Sequence, residues 1–224
     1  MGTKITDNYF EYEGTKYFRR NAHLLDLASF GEKKDSAFAP GFLEEHGTVK
    51  AEYVAKRAEV NAPVGINWST VSQSDIGAGV TLKFFGIGVD TAQSISLSDT
   101  KSGELKLVPI SIPEGKVIGM LNEADGARNF LADEGNDGRV LTKIWVLMDG
   151  QLASEFSQGA NNQVTVKALG QSVSISVSGG KSGSQSIQLS PGATFAYALH
   201  KVKKWTDNKK TKVESVEADY KGMN

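Results

Sequence analysis

The chain has 224 residues, no cysteine, and 25 Lys plus Arg against 26 Asp plus Glu, for a formal net charge of -1. That length buries a core without staples, and the missing cysteine excludes disulfides, thiol catalysis, thiolate metal sites and cysteine-linked lipid anchors. Near-neutral charge gives no broad basic field, so no nucleic-acid partner is expected. The sequence has no apolar run long enough for a spanning helix, and MGTKITDNYFEYEG lacks a signal-peptide core, which points to the cytoplasm.

In chain order, Tyr9 to Phe18 (YFEYEGTKYF) alternates aromatic and polar residues around Gly14 and predicts a hairpin closed by Arg19 and Arg20. Asn21 then opens a short helix over Ala22 to Phe30, with Leu24, Leu25, Leu27 and Ala28 as its stripe and Gly31 as its stop. Ser36 to Gly41 reads as a loop. From Gly47 to Val60, Val49, Ala51, Tyr53 and Ala55 alternate with charged residues, a strand pattern broken by Asn61-Ala62-Pro63. Val80 to Val89 (VTLKFFGIGV) is a second β run carrying Val80, Leu82 and Phe84 at alternate positions. Ser94 to Leu97 and Leu105 to Ile112 add strands, with Pro109 and Pro113 marking an edge or an end.

Val117 to Leu131 has the spacing of a helix with Gly126 as its weak point, ending at Gly135. Arg139 to Met148 (RVLTKIWVLM), with Ile144 and Val146, returns to strand. It turns at Asp149-Gly150 and continues as strand over Gln151 to Ser157 before a loop from Gly159 to Asn162. Three alternating segments follow. Val164, Val166 and Ala168 share a face, as do Val173, Ile175 and Val177, and then Ile187 and Leu189, with Ser, Thr, Lys and Gln between them. Turn residues at Gly170, at Gly179 to Gly183 and at Pro191-Gly192 fold these into an antiparallel meander with a small, uncharged polar face. Phe195 to Leu199 reads as a strand buried on both faces, and Thr206 to Asn224 as a polar tail, flexible or weakly helical. The expected fold is α+β: one domain over 1–205, a twisted and mostly antiparallel sheet with a few short helices, followed by the tail over 206–224.

Motifs for chemistry are sparse. His23, His46 and His200 are scattered and no nucleophile elbow or HExxH occurs, so no enzymatic activity, metal or cofactor is expected. Gly180-Lys181-Ser182 resembles the end of a phosphate loop, but the first glycine of that motif would fall at Ile175. Asp133 to Gly138 reads as a helix-terminating turn rather than a calcium loop. The features that remain are membrane-directed. Gly47 to Val89 and Arg139 to Val177 are long enough to form spanning hairpins with one face to lipid and one to a lumen. Lys16, Arg19 and Arg20, with Lys33 and Lys34, form one cationic group. Lys201, Lys203 and Lys204 flank Trp205 in another, a composition suited to an anionic membrane interface.

Ala127 to Leu147 (ARNFLADEGNDGRVLTKIWVL) resembles the gasdermin pore-forming domain where a helix ending in leucine leads through a charged glycine turn into a long strand. Ser186 to Val202 (SIQLSPGATFAYALHKV) is similar to that family's strand, proline, small residue and apolar-Ala-aromatic signature, and Lys16 to Leu27 (KYFRRNAHLLDL) is similar to its early basic strand. The resemblance implies a homo-oligomer that moves from the cytoplasm to anionic membrane lipid, forms a pore and causes cell death. The short tail is similar to that of bacterial members, in which a C-terminal segment restrains the domain until an activating protease removes it. The residues alone leave a second expectation open: a non-enzymatic binding or assembly protein, such as a phage or secretion-system component whose strands mediate packing.

Overall fold

A computed structural model describes residues 2–36, 39–101, 103–158 and 162–223. The strands are β1 (Thr3–Ile5), β2 (Tyr9–Tyr12), β3 (Thr15–Phe18), β4 (Ser29–Ser36), β5 (Ala39–Thr48), β6 (Glu59–Val60), β7 (Val64–Gly65) and β8 (Leu82–Phe85). They continue with β9 (Gln93–Ile95), β10 (Leu105–Ser111), β11 (Gly138–Asp149), β12 (Gln163–Leu169), β13 (Ser172–Gly180), β14 (Gly183–Leu189), β15 (Thr194–Trp205) and β16 (Val213–Asp219). The α-helices are α1 (Ala51–Ala55), α2 (Gln73–Ile76), α3 (Glu114–Glu123), α4 (Asp125–Glu134) and α5 (Gly150–Ser157). The fold is α+β in one domain, and the described strands pair mostly antiparallel without closing into a barrel.

The molecule is built on β11. Its 12 residues are buried except for Lys143 and Asp149, as a β-rich run covered on both faces should be. Along one edge it pairs with β4 at Gly138 to Val140 and then with β10. Along the other it pairs with β15, and at Leu147 and Met148 with β8 in parallel. Val140, Ile144, Val146 and Met148 enter the core beneath α1, α3, α4 and the meander β12 to β14, while Trp145 and Leu147 enter a second core roofed by β1 to β3. Each large apolar side chain so buried contributes roughly 1.5 to 3 kcal/mol. Trp145 is ringed by Phe10, Tyr12 and Tyr17 at centroid distances of 5.0, 5.7 and 5.1 Å, all edge-on.

The hairpin over Tyr9 to Phe18, the meander, the long strand from Arg139 and the helix end at Gly135 are as the sequence predicts. Several elements differ. Gly47 to Val60 is not one strand: β5 ends at Thr48 and α1 follows, because Ala51, Val54 and Ala58 also fit a helical stripe and lie among Glu, Lys and Arg, which favour helix. The run after Val80 pairs only over Leu82 to Phe85. The Ala22 to Phe30 helix shrinks to a 3-10 turn over Ala22 to Leu24, with Asn21 and Ala28 at positive φ. Gly31, taken as its stop, lies inside β4, where an added Cβ would sit 1.9 Å from the Glu44 carbonyl oxygen. Val117 to Leu131 is two helices, α3 and α4, separated at Ala124.

Gln151 to Ser157 is α5 rather than strand. The Asp149 carboxylate accepts from the Gln151 and Leu152 amides, so the Asp-Gly pair caps a helix instead of turning a hairpin. The tail is neither flexible nor helical over Val213 to Asp219: it is β16, paired with β15 from Leu199 to Trp205, with Val213 and Val216 in the core. The expected loop over Ser36 to Gly41 includes β5 from Ala39, and its residues 37 and 38 lie outside the described residues, as do residues 159–161 of the later loop.

Candidate functional site

The meander forms its own sheet. Val164 faces Val177, Val166 faces Ile175, Ile175 faces Ile187 and Val173 faces Leu189, so these side chains make one continuous apolar layer. Val173, Ile175, Val177, Ile187 and Leu189 are buried, while Val164 and Val166 are half-buried on the outer strand. The layer packs on α1 and, at its tip, on α5. The opposite face carries Thr165, Lys167, Ser176, Ser178 and Ser186, with Thr165, Lys167, Ser178 and Ser186 exposed. Away from its tip, the Gln188 amide donates to the Asp90 carbonyl at 2.7 Å and the Gly88 amide to Gln185 Oε1 at 2.8 Å.

A buried carboxylate holds the tip. Glu155 Oε1 on α5 accepts from the Ser182 amide at 3.0 Å and from Gln151 Nε2 at 3.2 Å. Gly180 passes so close that a Cβ there would lie 2.7 Å from Glu155 Oε2.

The cations before the tail pair with its carboxylates at the surface. Lys201 Nζ lies 2.8 Å from Glu217 Oε1, Lys203 Nζ lies 3.3 Å from Glu217 Oε2, and Lys204 Nζ lies 2.7 Å from Glu214 Oε1. The bonds from Lys201 and Lys203 pull the Glu217 pKa down. Trp205 is half-buried and pairs with Val213. At the other end of β16 the Asp219 carboxylate is buried, with Oδ2 at 2.9 Å from Lys33 Nζ and 2.8 Å from Arg139 Nε.

The early cations are not a common free surface. Arg19 is buried, and its guanidinium donates to the carbonyl oxygens of Thr6, Asp75 (2.7 Å), Ile76 and Phe195. Burial lowers its pKa to about 10. Arg20 donates to the Pro40 carbonyl at 2.9 Å and lies over the Phe42 ring, while Lys16 lies over the Tyr9 ring. Of the remaining apolar candidates, Ile144 and Val146 are at the centre of β11, Leu82 is buried, Phe84 is half-buried, and Val80 is exposed on a loop. The histidines stay apart: His46 stacks on Phe130, His200 Nδ1 lies 2.7 Å from Thr142 Oγ1, and His23 is exposed.

Glu155 was missed in the sequence, because it sits in a segment read as strand. Asp219 is one of the acidic tail residues, with Glu214 and Glu217, expected to lie over Lys201, Lys203 and Lys204, but it pairs instead with Lys33 and Arg139. Residues 127–147 and 186–202 lie side by side, since α4 leads through Gly135 into β11, and β14 leads through Pro191 into β15, the antiparallel neighbour of β11. Comparison with family models, curated proteins and solved structures finds no match to this chain.

Proposed function

We propose that this is a non-enzymatic pore-forming protein that oligomerises on anionic membranes and permeabilises them, causing cell death. The observation that carries the reading is the meander: a separate three-stranded sheet, apolar on one face, with Ser, Thr and Lys on the other, fastened to the body mainly through side chains. Strands that cross a bilayer need alternating faces, a length near 9 to 11 residues and complete backbone pairing with neighbours. In the meander β13 has 9 residues and β12 and β14 have 7 each, so the outer strands must lengthen into their turns on insertion; β11 and β15 have 12 each. Moving the apolar layer from α1 to lipid places the hydroxyl face toward a lumen at little electrostatic cost, because Lys167 is the one cation among β12 to β14 outside the tip turn.

The tail supplies restraint in this reading. Glu214 and Glu217 neutralise Lys201, Lys203 and Lys204, which would otherwise attract an anionic surface by about 1 kcal/mol each. The connection over residues 206–212 is largely exposed and carries Lys209, Lys210 and Lys212, a target for an activating protease. The similarity of 127–147 and 186–202 to the gasdermin domain points the same way.

Dye release from anionic and from neutral vesicles, before and after limited proteolysis, tests the proposal. Release is expected from anionic vesicles after cleavage, and it should be lost in Val166→Asp, which places an unfavourable charge on the lipid face of every subunit. Val166 is only half-buried in the starting fold, so this variant can be confirmed as folded by thermal melt. Equal release by a folded Val166→Asp protein would remove the meander from the membrane.

A further inference from the structure

The face of β11 that carries Trp145 also carries Lys143, and both neighbouring strands keep small residues beside them. Lys143 pairs with Ser111 and Ala198, and Trp145 with Pro109 and Ala196. Small neighbours on both sides leave a trough in the sheet. Tyr12 and Tyr17 from the β2 to β3 hairpin and Tyr220 from the chain end wall it, giving a cleft of about 610 Å³, within the range of small-molecule sites.

Two groups in this cleft lack the partners that groups of their kind normally have. Trp145 is buried, yet its Nε1 has no hydrogen-bond acceptor among the described residues, whereas Trp68 Nε1 donates to the Leu105 carbonyl at 3.2 Å. That nitrogen is itself enclosed, so the group a ligand meets from the cleft is Lys143. Lys143 Nζ has no carboxylate partner among the described residues and stands 5.5 Å from the Tyr17 ring centroid. The hydroxyls are already committed, Ser111 to Asn61 Oδ1 at 2.8 Å and Thr142 to His200 Nδ1 at 2.7 Å. The unmet demand is therefore for an anion next to flat aromatic walls.

The rim limits how much charge is welcome. Glu13, Glu59 and Glu114 border the cleft, and of these Glu59 is paired with Lys116 at 2.5 Å. A dianion or a phosphate would meet this acidic border, while a single carboxylate would be neutralised by Lys143 within it.

We infer that this cleft binds a small planar monocarboxylate, its carboxylate on Lys143 Nζ and its ring lying among Tyr12, Tyr17 and Tyr220, beside the Trp145 indole. The inference does not rest on pore formation. Arginine fits the Lys143 position less well for a single point contact but preserves the charge.

The test is a titration of protein labelled with 15N in its tryptophan indoles, with benzoate, benzamide and inorganic phosphate as separate probes. The Trp145 indole resonance is assigned by its loss in Trp145→Phe. Benzoate is expected to shift it saturably. Lys143→Gln should weaken benzoate binding by at least about tenfold while leaving the benzamide response unchanged, and Lys143→Arg should stay within about threefold of the parent. The dispersion of the other two indole signals reports whether each variant is folded. If Lys143→Gln is not, the comparison of benzoate with benzamide on the parent decides. No saturable shift with benzoate, an equal response to benzamide, or a response to phosphate alone would overturn the inference.

Discussion

Asp219 joins three segments of the chain, taking Lys33 from β4 and Arg139 from β11 onto a carboxylate of β16. Burial pushes its pKa up, but hydrogen bonds from Lys33, the Lys221 amide and Arg139 outweigh burial and hold it at about 2 against an unfolded 3.8. Its contribution to stability is therefore complete above pH 3.8 and is lost as the pH falls through about 2. Asp219→Asn should lower stability at neutral pH by roughly 3 kcal/mol, because buried Arg139 loses its counter-charge and buried Lys33 keeps only the exposed Asp35 at 3.1 Å. A shift in urea midpoint measures it, and an unchanged midpoint would refute the cluster's role. Asp26 works with the opposite sign. Burial and then Glu45 raise its carboxyl to about 6, so the folded chain holds a proton that the unfolded chain releases near 3.8. Asp26 thus destabilises the fold increasingly as the pH rises between those values. Asp26→Asn should raise the melting temperature at neutral pH by an amount worth about 1 kcal/mol, after allowance for solvent screening, and leave it unchanged below pH 3.8.

Among elements, the meander is predicted to be a separable unit. Gly180→Ala puts a Cβ 2.7 Å from Glu155 Oε2, and Glu155, itself buried, must shift and release the Ser182 amide. Overpacking of this kind costs about 1 to 3 kcal/mol. Amides of β13 and β14 should then exchange faster with solvent while those of β11 keep their protection; uniform acceleration across both would show that the meander does not open on its own. This unit was legible in the sequence because its period of two is unbroken and its turns are marked by glycine. α5 and α1 were not, since LASEF and AEYVA are too short for 3.6 and 2.0 periods to separate, and the choice was made by the Asp149 cap and by the layer each helix covers. β16 was hidden for a different reason: the ionic partners that define its inner and outer faces, Lys33, Lys201, Lys203, Lys204 and Arg139, lie far away or on another strand. The cleft beside Lys143 and Trp145 was equally invisible, because the small residues that hollow it come from β10 and β15.

For the whole molecule, two demands compete at the chain end. β16 completes the edge of β15 and buries Val213 and Val216, which stabilises the folded domain, and it also neutralises the cations of the β15 end. A chain ending at Trp205 should therefore melt earlier and yet sediment more completely with anionic vesicles at low salt, a gain that Lys203→Glu with Lys204→Glu reverses. The most direct measurement is the conductance of an anionic planar bilayer exposed to the chain ending at Trp205. Pore formation through the meander predicts stepwise, long-lived conductance increases that are absent with full-length protein and with Val166→Asp in the same truncated chain. A bilayer that binds the truncated protein but stays electrically silent, or that conducts equally with Val166→Asp, would contradict it.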